Sequence, residues 1–338
     1  MRKVAFLIAA SPTDAFYSQI AALSAGLRAL AWSHWEPSVH VFVGGDRRID
    51  PVSGWLPYLQ SVDISWTSEA RFARDGDWAQ SDDAFRFARR DVDALVALDA
   101  DTFPVTGFES MLDRVHDTEA VAGVIAHYPP ARDSTLDTAS NGFLGRTGDQ
   151  PREESLRGTW THLSRGLTDV PLDFAYTHTL MGQERPQEDR RTPFYLNFGV
   201  VAFPREAFDL VAPRYLAFRQ QVMGRMNGSD FSGQVALTLA IADARVRTWA
   251  LPMRYNFPND PVAEAMYPSE LDNVAIVHYL RTAEFDRHRI FAEPDRYSAF
   301  LELPLSGANR RFREAVVATL GTRYPFPRDG AASSLRQT

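Results

Sequence analysis

Short apolar runs alternate along this chain with stretches in which apolar residues recur every three or four positions. That is the pattern of buried strands interleaved with amphipathic helices. Residues 3–10 are almost wholly apolar and predict a first strand, and residues 14–31 follow as a helix with Leu23, Leu27 and Leu30 at helical spacing. Residues 39–43 predict a second strand, closed by Gly44 and Gly45, and residues 62–66 a third, short and alternating. A helix over 81–90, with Phe85 and Phe87 among arginines, leads into the continuous apolar run 94–98. A helix near 109–115 and a strand over 121–126 extend the alternation, which predicts a doubly wound α/β layout.

Between 129 and 193 the pattern breaks into scattered polar residues and isolated aromatics, too long for a structureless loop, so short helices or a lid are expected there. Regularity returns with a strand over 194–203, helices over 204–223 and 231–242, and strands over 247–251 and 274–279. The last fifty residues read as mainly helical, ending in a polar tail, 328–338, expected to be disordered. No internal repeat is visible.

The chain has 338 residues, of which 45% are hydrophobic and 23% charged, an ordinary globular composition. One α/β domain with a helical extension fits this length as well as two domains do. The net charge of −7 argues against a nucleic-acid surface. The absence of cysteine removes disulfides, thiolate zinc sites and cysteine nucleophiles, and makes a reducing, cytoplasmic setting the default. Met1 to Ala10 mimics a signal peptide, but its apolar part is too short and Ser11-Pro12 follows at once, so it reads as the first strand. No apolar run reaches the roughly 20 residues of a membrane span, which leaves peripheral membrane contact open. Lys3 is the sole lysine; a Walker A loop is absent and a Schiff-base mechanism is disfavoured.

Of three Asp-x-Asp triplets, Asp75-Gly-Asp77 and Asp91-Val-Asp93 sit in polar surroundings and read as loop or capping residues. Asp99-Ala-Asp101 instead closes the apolar run 94–98, the carboxyl end of a buried strand, where open α/β sheets bind ligands. Two hard carboxylates there suit Mg²⁺ or Mn²⁺, and such an ion can hold a nucleoside diphosphate.

In order and spacing, four blocks resemble GT-A glycosyltransferases, especially retaining enzymes of the glycogenin and bacterial lipopolysaccharide galactosyltransferase type. They are the first apolar strand, Leu98-Asp99-Ala100-Asp101, Tyr195-Leu196-Asn197-Phe198-Gly199, and Ile276-Val277-His278-Tyr279. A fifth, Ser232-Gly233-Gln234, is similar to a family helix that begins Asp-Gln, with Gly233 where the acid would stand.

The resemblance implies a GT-A-like, Rossmann-like mixed sheet, mostly parallel and flanked by helices, with a C-terminal helical extension. It implies a transferase domain over 1–285 with 129–193 as an irregular insertion or lid, a helical extension over 286–327, and the tail 328–338. It further implies Asp99, Asp101 and His278 as ligands of Mn²⁺ or Mg²⁺, and a nucleoside diphosphate sugar, preferably a UDP-sugar, as donor. Ala9, Ala10 and Ser11 would meet the base or ribose, and Arg86, with Arg90 second, the nucleotide. Asn197, Gly199 and Gln234 would face the donor sugar. Asp230 is near enough to replace the missing acid, or caps a helix; Asn256, Asn259 and Asp260 line an acceptor cleft or form an ordinary turn. The expected activity is sugar transfer to an acceptor hydroxyl of a glycan or small molecule, with retention. Two alternatives stay open: a sugar nucleotidyltransferase, disfavoured because residues 9–13 lack glycine and basic residues, and a noncatalytic carbohydrate-binding protein of the same fold.

Overall fold

The structure, a computed structural model, describes residues 1–45, 50–87, 89–130, 156–182, 187–229 and 231–327. The chain divides into two compact units, Met1–Asp113 with Pro252–Thr338, and Arg114–Leu251.

The first unit opens with β1 (Arg2–Ala10), α1 (Asp14–Ala29), β2 (Trp35–Val43), β3 (Val62–Trp66), α2 (Glu69–Asp75), α3 (Ala79–Ala84), β4 (Ala94–Leu98), β5 (Thr102–Pro104) and the start of α4 (Glu109–Thr118). Four of these strands lie in the order β4-β1-β2-β3, every pair parallel. Val4, Phe6, Ile8, Leu95 and Val96 are fully buried, as strands covered on both faces require. Thr13 starts α1 by accepting the Phe16 amide on its hydroxyl, 3.3 Å away.

β2 starts four residues earlier than the apolar run suggests. Trp35 anchors it, buried completely with its indole N–H on Asp113 at 3.0 Å. Pro37 pairs with Val4 on the stretch where β3 does not reach, an edge position that tolerates proline.

The helix expected over 81–90 is the shorter α3. After Ala84 the amides of Arg86 and Phe87 turn back by three residues, to the carbonyls of Asp83 and Ala84. The chain then leaves the helix with the Phe87 ring against His40 and Phe42 of β2, at centroid distances of 4.7 and 6.3 Å. Burial of that ring on the sheet outweighs another helical turn. α2, unanticipated, is capped by Ser68 and held to α3 by Arg71, which pairs with Asp83.

The second unit contains the remainder of α4 and β6 (Ala120–Ile125), α5 (Leu156–Ser164), β7 (Tyr176–Thr177), α6 (Gln187–Arg190), β8 (Arg191–Thr192), β9 (Leu196–Pro204), α7 (Arg205–Arg225), α8 (Ser232–Ala244) and β10 (Arg247–Ala250). β6 runs antiparallel to β9 and parallel to β10. Short elements thus occupy part of the 129–193 stretch; residues 131–155 and 183–186 lie outside the described residues. So do Asp230 and the tail 328–338.

The chain then returns to the first unit as β11 (Phe257–Pro258), α9 (Pro261–Met266), α10 (Pro268–Asp272), β12 (Ile276–His278), α11 (Pro294–Glu302) and α12 (Gly307–Leu320). β12 is shorter than expected because the amides of Val274 and Ala275 are taken by the carbonyls of Leu271 and Arg254. It lies between β11 and β5 in a small second sheet. Phe312 of α12 gathers Phe103, Tyr279, Phe285, Phe291 and Phe300 around itself, with Tyr279 stacked at 4.3 Å and the others 5.4–6.1 Å away. The C-terminal helices therefore build the core under β5 and β12. With β4-β1, β1-β2, β2-β3 and β6-β10 parallel and β6-β9 antiparallel, the architecture is the mixed, mostly parallel α/β fold that the sequence predicts. Among the described residues, no helix is long and apolar enough to cross a membrane.

Candidate functional site

The acid-tipped strand is real, and its turn is tightly tied. Beyond Leu98, the Asp99 carbonyl accepts both the amide and the hydroxyl of Thr102, at 3.2 and 2.7 Å. β5 then pairs antiparallel with β12, setting His278 opposite Thr102. The Tyr279 amide donates to the Asp101 carbonyl at 3.0 Å, fixing the next residue of the turn. Residues 177 positions away in the chain are thereby brought onto the acids.

His278 Nε2 lies 3.2 Å from Asp101 Oδ1 and 3.7 Å from Asp99 Oδ2. One ligand atom from each of the three residues falls within 4.8 Å of the others. The side chains are unequally open: Asp99 is 46% exposed, Asp101 15% and His278 8%. Arg287 adds a guanidinium, Nη1 2.5 Å from Asp101 Oδ2. Its backbone carbonyl is held by Gln19 of α1 at 3.1 Å, and its Nε donates to His288 Nε2 at 3.2 Å.

Charge settles accordingly. Burial alone would lower His278, but Asp101 and then Asp99 outweigh it and hold the imidazole above its ordinary range. Burial would raise Asp101, yet His278 and Arg287 bring it down, to about 2. Asp99 moves the other way, pushed up by desolvation and by the Asp101 charge, with His278 opposing; its half-exposed side chain keeps water close enough to relieve part of that cost. Two carboxylates and an imidazole form a donor set that suits Mn²⁺ or Mg²⁺ and leaves coordination positions for phosphate oxygens and water. The fit is supported by the geometry: the two carboxylates are faced here by the His278 imidazole and the Arg287 guanidinium, and a bound cation would supply the balancing charge.

The other expected residues fall as follows. Ala9 and Ala10 end β1 and Ser11 follows it in the same unit, with Ala10 buried and its carbonyl taken by the Gly44 amide. Arg86 lies beyond α3, exposed, 3.6 Å from Asp83; Arg90 is exposed too. Asn256, Asn259 and Asp260 are buried. Asn259 bonds the Arg281 backbone through both its amide atoms and donates to Asn309 at 2.9 Å, while Asp260 pairs with Arg281 and caps α9. They form an internal latch on the chain that follows β12.

In the second unit, Asn197 Oδ1 accepts the Gly199 amide at 2.9 Å, an Asx turn within β9, and Gln234 is half-buried in the first turn of α8. A side chain at Gly233 would begin 3.1 Å from the Phe198 ring, so close packing of α8 on β9 favours glycine where the family offers an acid.

Arg287, Gln19 and the Asn259 latch carried no signal in the sequence. Arg287 is one of 35 arginines and meets Asp101 across 186 residues.

No family model matches the chain, and no curated protein matches it. Solved structures do. Mouse xyloside xylosyltransferase 1, in its apo form, is 13% identical over 82% of this chain and 97% of its own, with a TM-score of 0.46. The galactosyltransferase LgtC, in complex with donor and acceptor sugar analogues, is 13% identical over 93% of this chain and 96% of its own, with a TM-score of 0.45. The apo structure of the bifunctional glycosyltransferase WbbM is 12% identical over 95% of this chain and 50% of its own, with a TM-score of 0.51. At such identity the likeness is one of fold, and by it the chain has a GT-A-like glycosyltransferase fold, found here over half of the WbbM chain.

Proposed function

We propose that this protein is a metal-dependent glycosyltransferase that moves a sugar from a nucleoside diphosphate donor, a UDP-sugar, to the hydroxyl of a glycan or small-molecule acceptor. The observation that carries the reading is the cluster of Asp99, Asp101 and His278 at the carboxyl end of β4. These three residues would hold Mn²⁺ or Mg²⁺. When bound, the ion supplies charge neutralisation for the departing diphosphate.

The protein's own part is to keep the donors ready. The Thr102 and Tyr279 hydrogen bonds fix the turn before any ligand arrives, so little reorganisation is needed on binding. Ala9, Ala10 and Ser11 are assigned to the base or ribose and Arg86 to the nucleotide, from the resemblance. Asn197, Gly199 and Gln234 are assigned to the donor sugar. That assignment and retention of configuration both rest on the resemblance of their blocks to retaining enzymes. A cytoplasmic setting, without a nucleic-acid partner, suits the acidic, cysteine-free composition.

The test is incubation with a panel of nucleotide sugars and Mn²⁺ or Mg²⁺, following nucleotide release, thermal stabilisation and the anomeric configuration of any product. One nucleoside diphosphate should raise the melting temperature in a metal-dependent way, and slow donor hydrolysis should accompany it. Asp101→Asn should abolish both. Binding that is indifferent to EDTA and to that substitution would refute the metal assignment; stabilisation without turnover on any acceptor would favour a binding protein. Pyrophosphate release from a nucleoside triphosphate and a sugar phosphate would identify a nucleotidyltransferase.

A further inference from the structure

We propose that Arg287 competes with the divalent cation for Asp101, so that the cation binds by displacing a guanidinium from the inner carboxylate. This inference rests on the metal-dependent reading of the site and concerns how that site is loaded.

Both oxygens of Asp101 are engaged: Oδ1 faces His278 Nε2 at 3.2 Å and Oδ2 faces Arg287 Nη1 at 2.5 Å. Asp99, the more exposed acid, has His278 3.7 Å away. An arriving cation therefore meets one accessible carboxylate and one already paired. The Arg287–Asp101 pair is mostly withdrawn from solvent, with side chains 27% and 15% exposed, so water screens it less than a surface ion pair.

The arrangement is also fixed from behind. Gln19, 2% exposed on α1, donates to the Arg287 carbonyl, so the backbone stays in place and release of Asp101 falls to the Arg287 side chain. A guanidinium and a divalent cation on one carboxylate repel each other, whichever oxygen the cation takes. Pairing with Arg287 thus lowers the cation affinity of the site while keeping the two acids from destabilising each other.

The experiment measures Mn²⁺ binding to the metal-free, nucleotide-free full chain, by calorimetry and by electron paramagnetic resonance counting of free Mn²⁺. Arg287→Gln should bind Mn²⁺ about tenfold more tightly than the wild type, equivalent to about 1.4 kcal/mol. Asp101→Asn should lose binding with or without the Arg287 change. Arg287→Met, which keeps most of the aliphatic stem, repeats the measurement if the glutamine variant does not fold. Unchanged or weaker Mn²⁺ affinity in a folded Arg287 variant, with wild type binding normally, overturns this inference and leaves the proposed activity standing. Absence of Mn²⁺ binding in every form, even with UDP added, overturns both.

Discussion

Replacing Gly26 with alanine sets two effects of known size against each other. Gly26 lies within α1, where alanine is worth about 1 kcal/mol of helix propensity over glycine, so local reasoning alone expects stabilisation. A Cβ at that position, however, would stand 2.8 Å from Pro104 Cγ, 3.0 Å from Pro104 Cδ and 3.3 Å from Phe103 Cζ. Neither neighbour can give way cheaply. Pro104 is a rigid ring paired with Ile276 of β12, and Phe103 is fully buried against Phe312. Overpacking of this kind costs about 1–3 kcal/mol, and the rigidity of the neighbours puts the cost at the upper end of that range. The net expectation is destabilisation by about 1–2 kcal/mol, read as a lower urea midpoint with an unchanged slope. Because β5 sets the register of His278 against Thr102, Mn²⁺ affinity should fall as well. A midpoint at or above that of the wild type would show that propensity prevails, and that α1 and β5 are not in the close contact on which the turn at Asp99 to Asp101 depends.

Glu109 accepts the amides of Ser33, His34 and Trp35 at 2.9–3.1 Å and the Ser33 hydroxyl at 2.5 Å. Desolvation opposes these bonds, but they win and bring its carboxyl from 4.5 down to about 2. A depressed carboxyl stabilises the fold above its unfolded pKa and ceases to as pH falls, so Glu109→Gln should cost about 1–2 kcal/mol at pH 7 after solvent screening. The difference from wild type should disappear between pH 4.5 and 2 in acid titrations of chemical stability. Asn259→Asp, which sets a carboxylate oxygen against the Arg281 carbonyl and Asn309, should lower the stability measured in urea by about 2–3 kcal/mol. A loss below 0.5 kcal/mol would mean that the latch beyond β12 is dispensable.

The local pattern carried the strands well, because a fully buried parallel strand announces itself as an unbroken apolar run. Of the two Asp-x-Asp triplets other than Asp99-Ala100-Asp101, the described acids have partners within the scaffold. Asp75 is bound by Arg74 at 2.8 and 2.9 Å, and Asp91 by Arg89 at 2.7 and 3.0 Å. Asp93 accepts the Lys3 amide at 2.7 Å at the start of β1. Those acids serve the scaffold. What the pattern could not carry was decided by distant partners. The end of α3 follows from where the Phe87 ring finds cover, and the start of β2 from the pocket that takes Trp35. The Asn259 latch and the Arg287 contact are long-range pairings between common residue types, and no spacing in the chain distinguishes them.

Those pairings matter most at the candidate site. Two aspartates at a strand end are a generic cation-attracting feature; what gives this pair a definite chemistry comes from the C-terminal third of the chain. β12 brings the imidazole, and the chain beyond it, held by Asn259 and Gln19, brings the guanidinium. Phe312 stacks on Tyr279, the residue whose amide fixes the Asp101 carbonyl. Removing α12 would therefore do more than expose apolar surface: it would take away the packing that holds Tyr279, and with it His278, against the acids. On this geometry the helices after residue 286 are part of the site's framework, and the cation affinity of Asp99 and Asp101 should depend on them as strongly as on the strand that carries the acids.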